Sequence, residues 1–163
     1  MTMIIRKAVI NDAGVIKEVH DRAVLELCRN DYTAGQLKSW INRSPLEKYV
    51  WRLETQRVFI AEKDGRTLGF VRWYPKTNEL CSICVEPEYA RQGIGTQLME
   101  YAYADAKEIG AESLWLDASL TAVPFYQALG WDYVSLSEEG QLESVRMVKR
   151  LSQGTQNEEM EGE

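Results

Sequence analysis

The chain carries little that would tie it to nucleic acid, a membrane or an oxidising compartment. Its 163 residues include one histidine, three cysteines and four prolines, and the formal net charge is −6. No Lys- or Arg-rich run occurs, so the basic footprint of a nucleic-acid or anionic-membrane partner is missing. No apolar stretch approaches the roughly 20 residues of a membrane span, and that within Met1 to Ile10 is too short for a secretory signal. Three cysteines (Cys28, Cys81, Cys84) are too few and odd in number for a disulfide framework, and read as the reduced thiols of a cytoplasmic protein. Cys81 and Cys84 have C-x-x-C spacing but fall in an expected strand. Strand alternation aims positions three apart at opposite faces, so buried small side chains are expected there and no metal. The acidity could favour a cationic ligand, although acidity of this size ordinarily serves solubility.

What is present is an ordinary globular composition, 45% apolar and 27% charged, without repeats or an internal linker. Residues 1–151 are expected to form one domain. The polar, acidic tail 152–163 is expected to be disordered. Ile4 to Val9 reads as a strand. A helix capped by Asn11 or Asp12 follows, with Val15, Ile16, Val19, Ala23 and Leu27 at helical spacing. Thr33 starts a second helix with Leu37, Trp40 and Ile41 inward, and Pro45 closes that region. Val58 to Glu62 and Leu68 to Tyr74 flank an Asp64-Gly65 hairpin turn, and Asn78 to Val85 is the next strand. A long helix from Ile94 carries Ile94, Leu98, Ala102, Ala106 and Ile109 on one face and stops at Gly110. Leu114 to Asp117, a helix over Ala122 to Leu129, and strands Trp131 to Leu136 and Ser144 to Leu151 complete the order. The fold class is α/β, with a mixed sheet flanked by helices.

The most informative stretch is Val85-Glu86-Pro87-Glu88-Tyr89-Ala90-Arg91-Gln92-Gly93-Ile94-Gly95. A strand runs into a Pro turn, then a Gly-x-Gly, then the long helix. The first turn of a helix has unpaired N–H donors and the positive end of the macrodipole, which suits a phosphate. The usual nucleotide motifs do not match, since there is no Gly-x-x-x-x-Gly-Lys-Ser/Thr and Leu98 stands where Gly-x-Gly-x-x-Gly needs its third glycine. The segment instead resembles motif A of the Gcn5-related N-acetyltransferases (GNAT), whose loop pattern is Gln/Arg-x-x-Gly-x-Gly/Ala. Gly93 and Gly95 match, while Ala90 departs at the first position and Arg91 can supply the side-chain charge. A second segment agrees: Ser113 to Ser119, then Thr121-Ala122-Val123-Pro124-Phe125-Tyr126-Gln127-Ala128-Leu129-Gly130-Trp131, looks like the family's strand, short helix with Phe-Tyr, and Gly-aromatic. The two motifs cover roughly residues 58–150, and the N-terminal part fits more loosely.

The resemblance implies the acyl-CoA N-acyltransferase fold, with a mixed, mostly antiparallel sheet, and transfer of acetyl from acetyl-CoA to a primary amine of a small molecule or peptide. It assigns carbonyl polarisation to the backbone of Ile83-Cys84-Val85. It gives the pyrophosphate to the backbone of Arg91, Gln92, Gly93, Ile94, Gly95 and Thr96, and a pantetheine contact to Ser119. Tyr126 stands at the family's general-acid position, where a phenol with a pKa near ~10 can protonate a leaving thiolate. Packing alone is the alternative for Tyr126. For the base, Glu79 leads, Asp117 is second, and a water-mediated route stays open. His20 reads as a satisfied helix histidine bordering the acceptor site. Tyr32, Trp40, Tyr49, Trp51 and Trp73 could enclose an acceptor, with Trp40 favoured as core. A different class of function is a non-catalytic acyl-CoA-binding module on a degenerate fold, and the sequence is compatible with a homodimer.

Overall fold

Period-two apolar patterning and helix-start signals set the elements in the computed structural model, which describes residues 2–139 and 142–152. The expected disordered tail from residue 153 lies outside the described residues. In chain order these are β1 (Ile4–Lys7), α1 (Ala13–Leu27), α2 (Ala34–Asn42), α3 (Leu46–Thr55), β2 (Arg57–Lys63), β3 (Arg66–Tyr74), β4 (Glu79–Val85), α4 (Ile94–Ile109), β5 (Ser113–Ser119), α5 (Val123–Ala128), β6 (Asp132–Glu139) and β7 (Leu142–Arg150). The strands form one sheet in the order β1-β2-β3-β4-β5-β7-β6. Every neighbouring pair is antiparallel except β4 and β5. That is the mixed, mostly antiparallel sheet that the sequence led us to expect.

Alternation along β2 and β3 distributes the core to two faces. Phe59, Ala61, Val71 and Trp73 pack with Leu98, Met99, Ala102 and Ala106 of α4. Val58, Ile60 and Phe70 pack with Ile16 and Val19 of α1 and Tyr49 of α3. Burying the Val, Leu, Ile, Phe and Met side chains among these stabilises the fold by about 1.5–3 kcal/mol each. A third, smaller cluster joins Val24, Cys28, Tyr32 and Leu37 to Leu142 at the start of β7.

Some local expectations needed correction. The expectation that Pro45 closes the second helical region leaves out α3, of which Pro45 is the N-cap, a place where its missing N–H costs nothing. In α1 the buried stripe includes Val24 while Leu27 is 40% exposed, and in α4 Met99 is buried while Ile109 is exposed. Asp12 does not cap α1 with its side chain. Its carboxylate accepts from the Val9 N–H at 2.7 Å and from Arg6 at 2.9 and 3.0 Å. Thr33 does cap α2, with a reciprocal Thr33–Gln36 box.

Candidate active site

The site starts from a place where the sheet comes apart. β4 and β5 pair only where Glu79 meets Trp115, next to a bond from the Trp115 N–H to the Asn78 carbonyl at 3.1 Å. Beyond that point their facing edges are unpaired. On the other edge of β4, the Glu86 N–H bonds the Leu68 carbonyl at 2.8 Å, with Val85 opposite Gly69 and Cys84 opposite Phe70. Antiparallel alternation then turns Cys84 and Ser82 toward β3, and leaves the N–H groups of Ile83 and Val85 facing the gap. Of the three expected backbone donors, two therefore face the opening and Cys84 does not. Burial pushes the Cys84 thiol up to about 12, so it stays a neutral packing group.

A register shift between Arg72 and Trp73 sets Trp73 opposite Leu80 and Arg72 opposite Ser82, leaving Cys81 as the extra residue of a bulge. Strict alternation fails across it. Cys81 lines the cavity beneath α1 and α2, and Cys84 packs in the cluster beneath α1. The expectation that Cys81 and Cys84 face opposite ways is thereby overturned, because it assumed an unbroken ladder.

Past β4 the chain turns into α4 through residues 86–93. Arg91 (φ 61°) and Gly93 (φ 84°) are left-handed, a turn conformation of the kind found in anion-binding concavities. Gly93 is the N-cap of the 16-residue α4 and no side chain caps it, so the first-turn donors are left for something else. Arg91 and Gln92 are exposed, Ile94 is buried in the core, and Gly95 and Thr96 are partly covered. Gly95 has a further role: a Cβ there would lie 3.3 Å from the Phe125 ring, so its absence lets α4 and α5 meet closely. The turn is tied down by a residue that sequence reading passed over. Glu86, 4% exposed, takes a bidentate ion pair from Arg22 of α1. Arg66 pairs with Glu88 and lies 5.1 Å over the Tyr89 ring.

Tyr126 is 6% exposed on α5, edge-on to Phe125 at 5.3 Å and to Trp131 at 5.8 Å. It shares a cluster with Leu80 and Ile94, against which Ile83 and Val85 also pack. Burial raises its pKa well above the ordinary phenol value, and nearby Cys84 adds to the shift, so the phenol keeps its proton at any physiological pH. Ser119 ends β5, where its Oγ accepts the Ala122 N–H at 3.2 Å; its O–H remains a donor.

On the α1 face, Glu79, Cys81 and Ser82 of β4 form the floor of a cavity of about 270 Å³. His20, Trp40, Trp51 and Arg52 line it from α1, α2 and α3, and Arg72 from β3. Trp40 is thus a cavity wall rather than plain core, and stands edge-on to His20 at 6.3 Å. His20 bonds Asp21 at 3.1 Å through Nδ1. Burial lowers its pKa more than Asp21 raises it, with Arg72 and Arg52 adding to the lowering; the ring is neutral at pH 7. Tyr49 is buried beneath the Arg52 guanidinium, 4.9 Å from its ring.

Other aromatics and the second carboxylate go elsewhere. Trp73 is fully buried on the α4 face, where its Nε1–H donates to Asp105 at 2.8 Å. Tyr32 ties loops together, donating to the Glu143 carbonyl at 2.9 Å and accepting from the Leu120 N–H at 2.8 Å. Asp117 is held by Arg146 through bonds of 2.6 and 3.0 Å, with that guanidinium stacked 4.2 Å over Trp115. A carboxylate so engaged is poorly placed to take a substrate proton.

These features define an acyl-transfer fold, and comparison with known proteins agrees. The family model described as Acetyltransferase (GNAT) domain matches residues 28–151, and the chain belongs to that family. An amino-acid acetyltransferase from Escherichia fergusonii is 29% identical over 136 residues, 81% of this chain but only 27% of that relative's length. A GCN5-related N-acetyltransferase from Rhodopseudomonas palustris superposes with a TM-score of 0.87 at 25% identity, over 93% of this chain and 97% of that one. The PaiA N-acetyltransferase of Thermoplasma acidophilum, solved with coenzyme A, shares the fold at a TM-score of 0.81 and 23% identity, over 92% and 99%. Among the described residues no helix is long and apolar enough to cross a membrane.

Proposed function

We propose that the protein transfers the acetyl group of acetyl-CoA to a primary amine of a small molecule or peptide by direct attack. The observation that carries this reading is the unpaired edge of β4. The N–H groups of Ile83 and Val85 open onto the β4–β5 gap, with the uncapped start of α4 at the end of the same strand. Those donors fit an acyl-CoA: a pyrophosphate suits the backbone of Arg91 to Thr96, and a thioester carbonyl suits the Ile83 and Val85 amides. When bound, acetyl-CoA supplies an acyl carbon activated by a thiolate leaving group, so that the C–N bond forms as the C–S bond breaks.

The chain's own residues do the rest. Ile83 and Val85 polarise the carbonyl, Tyr126 gives its proton to the departing sulfur, and Ser119 offers its O–H to the pantetheine arm. Glu79 faces the acceptor cavity and takes the proton the amine loses, directly or through water.

The test is thiol release from acetyl-CoA over a panel of amines, with Tyr126→Phe alongside. The wild type is expected to turn over. The variant should lose about 10²–10⁴-fold in kcat with its acetyl-CoA affinity kept. A binding module would instead hold acetyl-CoA and release no thiol in either form.

A further inference from the structure

The charge of the acceptor cavity is opposite to that of the chain. Among the described residues Arg43, Lys48, Arg52 and Arg72 line it, against Glu79 as the one carboxylate, in a protein of net charge −6. His20 adds no charge, being held neutral by burial. Two of the guanidiniums are fixed by uncharged groups. Arg72 Nη1 donates to Gln56 Oε1 at 2.9 Å, and Arg52 Nη2 to Ser44 Oγ at 3.0 Å. Arg52 also lies over the Tyr49 ring. The Nε of Arg72 is buried and has no hydrogen-bond partner, and a buried donor left unpaired costs about 1–3 kcal/mol. Burial lowers the pKa of Arg52, and the like charge of Arg72 lowers it further; the two cations strain against each other.

We infer that this cavity takes an amine that also bears a carboxylate, a free amino acid in its simplest form, with the carboxylate at Arg52 and Arg72 and the amine toward Glu79. Planar guanidiniums match a carboxylate through paired N–H donors, and an anion there relieves the repulsion between them. The floor supports the division of the ligand: Arg72 is opposite Ser82 in the strand register, and Glu79 is three residues back along β4. Trp40 and Trp51 stand over the remaining space. A cavity of about 270 Å³ is just below the range of drug-sized ligands, which suits one amino acid. This inference rests on the proposed acetyl transfer and adds the class of acceptor.

The test is a binding titration of the full chain, saturated with coenzyme A and followed by tryptophan fluorescence. The probes are the twenty free L-amino acids, each beside its carboxamide, and phosphoethanolamine. At least one acid should bind tenfold or more tightly than its amide. Arg72→Met should weaken that acid by about tenfold to a hundredfold, Arg72→Lys should weaken it less, and acetyl-CoA affinity should stay within twofold, showing that both variants fold. Binding of no acid more tightly than its amide overturns the inference, as does tighter binding of phosphoethanolamine than of every acid. Failure of the transferase reading is visible separately, as no thiol release from acetyl-CoA by the wild type with any amine tested.

Discussion

Glu79 is opposite Trp115, two residues before Asp117 on β5, and the surroundings of the two carboxylates differ. Asp117 takes two hydrogen bonds from Arg146, and Glu79, whose charge also acts on Arg146, lines the cavity. Glu79→Gln should lower kcat by about 10²-fold or more when the amine must lose a proton, and flatten the acid limb of the pH–rate profile. Asp117→Asn should cost about 0.5–1 kcal/mol of stability and leave that limb in place. A matched pair of pH–rate profiles checks both. Asp12 gives a pH effect away from the site. The bonds from Arg6 hold its carboxyl below the ordinary value of 3.8, against the opposing effect of burial. A depressed folded pKa stabilises the protein above the unfolded value and ceases to as pH falls through the folded one. Asp12→Asn should therefore lower the melting temperature at pH 7, with the difference from wild type shrinking below about pH 4.

At the scale of elements, the turn into α4 is the part on which the proposed acetyl-CoA binding depends most. Gly93 is left-handed, so Gly93→Ala should destabilise the protein by about 1–2 kcal/mol, seen as a fall of roughly 2–8 °C in melting temperature, and weaken acetyl-CoA. Glu86→Gln leaves the backbone intact but breaks the Arg22 pair that pins this turn to α1. It should raise the acetyl-CoA dissociation constant by about threefold to tenfold, equivalent to about 0.7–1.4 kcal/mol, readable by calorimetry. The Gly-x-Gly and the strand before it were legible in the sequence because a strand-to-helix turn is written in consecutive residues. So was the short helix that carries Tyr126, through its Phe-Tyr context. The bulge at Cys81 was not, since it is a property of two strands in register. Helix α3 could have been found: Leu46, Tyr49, Val50 and Leu53 recur at helical spacing behind Pro45. Trp73 reads as an acceptor residue in the sequence because it is one of several aromatics able to enclose an apolar or cationic group; its place in β3 turns it to the α4 face.

Over the whole molecule, a sheet split at one parallel contact separates two chemistries. In the proposed reaction the acyl-CoA lies on the side with the α4 N-terminus and Tyr126, and the amine enters the cavity under α1, α2 and α3, with β4 as the wall between them. The cavity's basic lining had no signature in the sequence, since Arg43 comes from the turn after α2, Lys48 and Arg52 from α3, and Arg72 from β3, in a chain that is acidic overall. Arg72 in particular was hidden within an apolar strand. The most direct test of the central claim is a calorimetric titration of the protein with acetyl-CoA, with adenosine diphosphate as the control. One-to-one binding in the micromolar range, at least tenfold tighter than adenosine diphosphate, is the predicted result. No binding of acetyl-CoA, or binding no tighter than the control, would contradict it and leave Gly93-Ile94-Gly95 as a turn that only starts a helix.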